Sequence, residues 1–470
     1  MIVEQIYTGC LAQATYYIES KGEVAIIDPL RETKPYTDKA KQNNAKIKYI
    51  FETHFHADFV SGHLSLSKQT GAPIIYGPEA NPTFKAIIAQ DQQIFKLGDL
   101  SIIALHTPGH TIESTTYLLK DKNDKNCAIF TGDTLFLGDV GRPDLAQKTA
   151  TLTANDLAGF LYESLQNKIM PLEDYITVYP AHGAGSACGK NMIKQTVDTL
   201  GNQKQTNYAL RAGITKQEFI KEVTEGLLPP PKYFPLNVKM NKEGYEDIDT
   251  VIKRGTQALK PKDFEALANK TGAIVLDVRD QDLFAKGHIP RSIFIGLNGG
   301  FAPWVGALIA NTKQPILLVT KIGQEQEAVT RLSRVGFDMV LGYLEGGFDT
   351  WIDNANPYDT ISCTKANHFK NELTNTTPNI FDVRNKNEYN AEHVLQAHNT
   401  PLSDLNNHLN KLPQTKPFYL YCAGGYRSII AASILKNRGI HNFINIEGGF
   451  KAIKEHGIKT SAWVCPNNKK

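Results

Sequence analysis

The second half of the chain writes one pattern twice, and that duplication restricts the possible folds more than any other feature of the sequence. "VLDVRDQDLFAKGHIPRSI" from Val275 aligns with "IFDVRNKNEYNAEHVLQAH" from Ile380, setting Asp277 and Arg279 against Asp382 and Arg384, and His288 against His393. "PILLVTKIGQEQEA" then matches "PFYLYCAGGYRSIIA", and "YLEGGFDTW" matches "NIEGGFKAI". Each copy alternates strand-like and helix-like segments, which predicts a parallel sheet wrapped by helices. In such a sheet the reactive position is a loop that follows a strand and opens a helix.

Upstream, from Val3 to about Tyr179, the pattern is different. Short apolar runs such as "EVAIIDP", "IKYIFET", "APIIYG", "LSIIALHTPGH", "CAIFTGDTLF" and "YITVYPAHG" read as strands of a sheet-rich α/β domain. Helical spacing is confined to segments such as "SGHLSLSKQTG" and "TANDLAGFLYESLQNK", the latter with Thr153 and Asn155 as cap candidates. The run "EGLLPPPKYFPLNVKMNKEGYEDIDT", with three consecutive prolines, is expected to stop regular structure and mark a boundary. Three domains follow: residues 1–250, 251–358 and 359–470.

A chain of 470 residues with 41% hydrophobic and 21% charged residues has the composition of a globular protein. Its formal charge of +3 supplies no field for nucleic acid or an anionic membrane. No basic leader or long apolar run is present, so a cytoplasmic location is expected. Six cysteines, Cys10, Cys127, Cys188, Cys363, Cys422 and Cys465, lack paired spacing and fit reduced thiols. Cys127 belongs to an apolar strand and reads as core, while Cys10, Cys363 and Cys465 have no context that suggests chemistry.

Ligand-type residues recur after the strands of the first domain: His54, His56 and Asp58 in "THFHADF", His110 in "HTPGHT", Asp133 in "TGDTLF" and His182 in "PAHGAG". This order of motifs resembles the metallo-β-lactamase superfamily, which implies an αββα sandwich with metal at one edge. Hydrolases of that superfamily hold two zinc ions and use the last histidine of H-x-H-x-D-H for the second. Phe59 stands at that place, and a phenyl ring cannot coordinate, so one metal is expected. Two histidines and a carboxylate on one face, leaving open positions, is the arrangement of non-haem Fe(II) oxygenases. Within the superfamily, residues 1 to 240 resemble the persulfide dioxygenases, through "THFHADFVSG", "HTPGHT", "GDTLFLGDVGRPDL" and "HGAGSACGK". The resemblance implies one Fe(II) per chain, with zinc an alternative occupant, held by His54, His110 and Asp133. His56, Asp58 and His182 would then orient ligands or bound water. It also implies that Arg142 lies near the substrate mouth, where a guanidinium meets a carboxylate of a thiol cofactor. Cys188, six residues after His182, is a further candidate at the substrate.

In the second repeat, "YLYCAGGYRSIIA" sets Cys422 at the end of an apolar strand, before two glycines, Arg427 and a helix-like run. Successive amides and a helix N-terminus concentrate positive potential at that sulfur and stabilise an anionic persulfide. The domain resembles rhodanese, which implies that Cys422 carries a sulfane sulfur in the cradle Ala423, Gly424, Gly425 and Tyr426, with Arg427 holding the anion. In the first repeat Thr320 replaces the cysteine and Glu325 the arginine, so that copy is expected to be catalytically silent.

Together the resemblances imply a fusion of a persulfide dioxygenase with one silent and one active rhodanese domain. It would consume O2 and a low-molecular-weight persulfide such as glutathione persulfide, release sulfite and thiol, and move sulfur through Cys422 to give thiosulfate, a sulfide-detoxifying chemistry. A homo-oligomer is expected. Two rivals are a glyoxalase II-type thioester hydrolase with two metals and an appended sulfurtransferase, and a non-enzymatic sulfur relay.

Overall fold

The computed structural model describes residues 1–145, 152–227 and 229–464. Cys465 lies outside the described residues. The chain divides into two compact units, Met1–Thr250 with Leu332–Phe337, and Val251–Arg331 with Asp338–Lys470.

Two six-stranded sheets form the first unit. An N-terminal hairpin, Ile2–Thr8 and Gln13–Ser20, leads antiparallel into Glu23–Ile27, and Lys46–Phe51, Ile74–Tyr76 and Ile87–Ile88 extend that sheet in parallel. The second sheet runs from Ile94–Leu97 through Leu100–His106, Thr115–Lys120, Asn126–Gly132 and Thr177–Pro180 to Asp198–Thr199. The inner faces meet in a core of Tyr16, Ile18, Ile27, Phe51 and Ile75 against Leu97, Ile102, Tyr117, Leu119 and Phe130. The outer faces are covered by helices, Lys34–Gln42 and His63–Thr70 on the first sheet and Ala154–Ser164 and Lys216–Thr224 on the second. Burial of both faces explains why strands such as "VAII" and "LSIIAL" read as continuous apolar runs. The αββα sandwich is the fold expected from the sequence.

Thr153 closes a capping box with Asp156, whereas Asn155 takes no cap role. The run 225–250 does not stop regular structure, because Phe234–Glu243 is a helix with a proline in its first turn. A proline there needs no N–H partner and its fixed φ suits the helix, so regular structure resumes a few residues after the three consecutive prolines on which the expectation rested.

In the second unit each repeat forms a five-stranded, all-parallel sheet. The orders match: Ala258–Leu259, Val340–Leu344, Ile316–Val319, Ile274–Asp277 and Ile293–Phe294, then Cys363–Thr364, Phe443–Ile446, Phe418–Tyr421, Asn379–Asp382 and His398–Asn399. The repeated Asp-Val-Arg motif does one job twice. Asp277 takes the Arg279 guanidinium at 2.6 Å and Asp382 takes that of Arg384 at 2.6 Å, and each arginine lies on a phenyl ring, Phe348 at 4.3 Å or Phe450 at 4.0 Å. Among the described residues no helix is long and apolar enough to cross a membrane.

Candidate functional site

Three donor atoms converge beyond the C-terminal ends of the first unit's strands. His54 follows Lys46–Phe51, His110 follows Leu100–His106, and Asp133 follows Asn126–Gly132. Their donor atoms lie within 4.8 Å of one another, with Asp133 Oδ2 3.3 Å from His110 Nε2 and 3.9 Å from His54 Nε2. The tautomers are fixed from behind. His110 Nδ1 faces the Arg142 carbonyl at 2.8 Å, an atom that only accepts, so Nδ1 carries the proton. Thr53 Oγ1 donates to Asp28 Oδ2 at 2.8 Å and is left to accept from His54 Nδ1 at 3.0 Å. Both Nε2 lone pairs therefore face Asp133 Oδ2, a buried oxygen with no hydrogen-bond partner. Lone pairs turned on one another repel unless a cation lies among them, and adjacent ligands of a first-row metal are about 3.0–3.5 Å apart at bond lengths of about 2.1 Å. The set fits a divalent metal held by two imidazoles and one carboxylate.

Around this triad the other histidines are tied to carboxylates. His56 turns Nε2 to Asp28 Oδ1 at 3.1 Å and Glu52 Oε2 at 3.4 Å. Burial opposes charge on His56, but Asp28 and Glu52 outweigh it and push its pKa up to about 10. The Phe59 ring is fully buried and lies against the His56 ring, tilted by 33° with centroids 4.3 Å apart. His182 is bracketed by Asp133 Oδ1 at 2.7 Å and Asp58 Oδ2 at 2.8 Å. Burial opposes its charge as well, and the two carboxylates again prevail, holding the imidazole pKa well above its usual value. Asp133 is buried too, yet His182, His110 and His54 hold its carboxyl far below the usual range.

Cys188 joins Asp58 and His182 in a second buried trio whose donor atoms lie within 4.8 Å. Burial first, and then Asp58 and Asp133, push its thiol well above the ordinary value. Arg142 is buried and grips Asp144 through Nε at 2.6 Å and Nη2 at 2.7 Å, while Nη1 donates to the Ala187 carbonyl at 3.3 Å. That fork is already occupied by a carboxylate of the chain itself. A cavity of about 650 Å³ opens at His110, walled by Phe55, Ile112, Leu145, Phe234 and Val238, with Glu79, Glu113, Asp144 and Lys242 supplying charge.

In the second unit, Cys422 directly follows strand Phe418–Tyr421 and is buried, and its Sγ accepts from the Gly425 N–H at 3.1 Å. Helix Tyr426–Asn437 starts at once behind it. Gly449 lies at φ +58, and a Cβ there would stand 2.3 Å from the Cys422 carbonyl, so the "EGGF" glycine is required for the close approach beneath the loop. Arg427 is held by both oxygens of Glu388 at 2.7 Å, and the same carboxylate closes the capping box of helix Lys386–Ala391. The first repeat fills its own loop differently. Glu325 Oε1 accepts from the Gly323 N–H at 3.1 Å and from Thr320 Oγ1 at 3.3 Å, which puts a fixed negative charge inside the loop where the other repeat places sulfur.

Several residues escaped the sequence reading. Asp28 and Glu52 both end or follow apolar strands as Asp133 does, and that shared position was their signal. Glu388 carried the signal of a capping box. The apolar walls of the cavity carried none, since Phe234 and Val238 belong to the helix that the prolines concealed.

The family model described as metallo-beta-lactamase superfamily matches residues 8–182, and that of the rhodanese-like domain matches residues 260–354 and 365–456. A crystal structure of a metallo-beta-lactamase from Staphylococcus aureus subsp. aureus COL is 30% identical, covers 73% of this chain and 99% of its own, and superposes with a TM-score of 0.66. The cytoplasmic hydroxyacylglutathione hydrolase of Arabidopsis thaliana is 34% identical over 141 residues, which is 29% of this chain and only 54% of the plant protein's length. A probable hydroxyacylglutathione hydrolase of Schizosaccharomyces pombe is 30% identical over 237 residues, 46% of this chain and 86% of the yeast protein.

Proposed function

The chain belongs to the metallo-beta-lactamase superfamily and carries two rhodanese-like domains behind that fold, and from this premise we propose that it oxidises a low-molecular-weight persulfide at one Fe(II) and transfers sulfur through Cys422. The dioxygenase occupies residues 1–250, the silent rhodanese 251–358 and the active one 359–470. The observation that carries the reading is a converging set of two histidines and one aspartate beside a buried phenyl ring that offers no fourth ligand.

His54, His110 and Asp133 would hold the metal. The chemistry Fe(II) supplies when bound there is activation of O2, which zinc lacks because it has no accessible redox state. The protein's own part is positional. Thr53 and the Arg142 carbonyl keep the two Nδ1 atoms protonated, so that Nε2 points inward. His182 holds Asp133 by Oδ1 and leaves Oδ2 to the site. Phe55, Ile112, Phe234 and Val238 shield the cavity from water and accept the apolar stem of a thiol. The overall reaction takes one persulfide R–S–SH, one O2 and one water to one thiol, one sulfite and two protons. At the second unit, sulfite attacks the terminal sulfur of a Cys422 persulfide, the S–S bond breaks, thiosulfate leaves and the pair returns to the Cys422 thiolate.

Oxygen uptake by the iron-loaded protein on adding glutathione persulfide, beside the same trace for His110→Ala, tests the reading. Rapid uptake lost in the variant supports it, and absence of uptake at full iron loading overturns it. A second reading, a two-metal thioester hydrolase, is favoured by the names of the relatives and by the Asp58, His182 and Cys188 trio beside the triad. It requires two metals per chain and release of thiol from a hydroxyacyl thioester without oxygen consumption.

A further inference from the structure

We propose that the cysteine-less first repeat is a positioning element for the sulfur-carrying loop of the second, acting through the anchored N-terminus of helix Tyr426–Asn437. The inference rests on the reading of Cys422 as a sulfur carrier. That helix is attached to the first repeat along its length. At its start, within the loop, Tyr426 Oη donates to the Gly296 carbonyl at 2.7 Å. One turn before its end Ser433 Oγ accepts from the Phe294 N–H at 3.0 Å, and at the end Asn437 Nδ2 donates to the Arg291 carbonyl at 2.6 Å.

The loop end of this seam is shaped for the tyrosine. The Phe294 ring meets the Tyr426 ring edge-on at 5.8 Å, and a Cβ on Gly299 would stand 2.3 Å from that ring, so glycine is what lets the phenol reach Gly296. A second contact bears on the loop independently. Gln281 of the first repeat brings Nε2 to 3.1 Å from the point where a Cβ on Gly425 would stand, and Gly425, at φ +106, is the residue whose N–H meets the Cys422 sulfur. Beside these contacts a cavity of about 680 Å³ separates the two repeats, bounded by Gln281 and Lys286 on one side and by Gly424, Gly425 and Glu447 on the other. A helix N-terminus stabilises an anion only while its amides stay aimed at it. The first repeat fixes that aim from outside the loop, which accounts for the retention of a domain whose own loop is closed by Glu325.

The step to follow is loading by thiosulfate. The Cys422 thiolate attacks the outer sulfur, the thiosulfate S–S bond breaks, sulfite leaves with the bonding pair, and Cys422 keeps the persulfide anion. Loading is timed on the full chain by mass spectrometry as the gain of one sulfur atom. Tyr426→Phe is expected to slow the first-order loading step about three- to tenfold, the size of one lost hydrogen bond, with little change in the half-saturating thiosulfate concentration. Asn437→Ala, which cuts the same seam three turns from the sulfur, is expected to load within about twofold of wild type by the same additive logic. Gln281→Leu, a rim change that spares the fold, is expected to act in the direction of Tyr426→Phe. The inference is overturned if both Tyr426→Phe and Gln281→Leu load as wild type does, or if Asn437→Ala slows loading as much as they do. If wild type itself takes no sulfur on Cys422, the carrier reading falls and this inference falls with it.

Discussion

Replacing Gly141 by alanine strikes two of the candidate metal ligands with one methyl group. The Gly141 N–H donates to the Asp133 carbonyl at 3.0 Å, and the next residue supplies the carbonyl that fixes the His110 tautomer. A Cβ on Gly141 would stand 2.1 Å from the Asp133 carbonyl oxygen and 2.9 Å from His110 Nδ1. Carbon needs about 3.4 Å from such atoms, so the Asp133 backbone or the strap formed by Gly141 and Arg142 has to move by about 1 Å. Neither can yield freely, because the strap is pinned through the Arg142 N–H to the Cys188 carbonyl at 2.9 Å. Disturbing the supports of a metal ligand costs about 10- to 100-fold in affinity, or about 1.4 to 2.7 kcal/mol. Overpacking of about 1–3 kcal/mol lowers stability in the same range. The assay is competition of the apoprotein with a coloured chelator for Fe(II) or Zn(II), run beside a urea titration. A variant that binds metal as tightly as wild type, with the fold intact, refutes the placement of the ion among His54, His110 and Asp133.

Phe59→His restores the missing ligand type beside Asp58 and His182, and elemental analysis after zinc reconstitution should show the metal content rising from one towards two per chain; an unchanged ratio counts against the account of Phe59. Thr320→Cys should take no sulfur from thiosulfate, because Glu325 still fills that loop, and detection of a persulfide there by mass spectrometry would show that the carboxylate is not what silences the repeat. His288 is buried, with its pKa pushed down to about 4 by burial. Above about pH 6.5 the group is neutral in folded and unfolded chains alike and its full contribution is present. As pH falls towards 4 only the unfolded chain gains the proton, and stability drops by about 3 kcal/mol. Urea titrations from pH 7.5 to 4.5 should show His288→Gln losing less stability over that interval than wild type, and parallel curves would contradict this.

The parts of the fold that were legible in the sequence are those in which backbone pattern and burial agree. Both sheets of the sandwich are covered on their outer faces, so their strands are continuous apolar runs that announce themselves. The duplicated repeats were legible because Asp382 and Arg384 form a buried pair with fixed spacing, which leaves little freedom to vary. The helix Phe234–Glu243 was hidden because proline at a first turn looks, in one dimension, like proline in a loop. The candidate ligands could be picked out because they follow strands, as His56, Asp58 and His182 do as well, and only the family resemblance singled out His54, His110 and Asp133; their supports carried no such signal. The Arg142 carbonyl is a backbone atom without a residue-type signal, and the grip of Asp144 on the Arg142 fork depends on side-chain direction alone.

That difference between ligands and supports bears on how the two rhodanese-like repeats diverged in chemistry while keeping one fold. In the second repeat the Gly425 amide is given to the Cys422 sulfur, and a cation stands at the loop's edge, where Glu388 holds Arg427. A single carboxylate in the arginine's place satisfies the Gly323 amide, the counterpart of the Gly425 amide that meets the Cys422 sulfur, from within the loop. Thr320 and Glu325 hold each other through one side-chain hydrogen bond just beyond the end of strand Ile316–Val319. With Glu325 in its loop the first repeat still keeps its five-stranded sheet and its buried Asp277 and Arg279 pair, and it offers the Gly296 carbonyl on which Tyr426 is anchored.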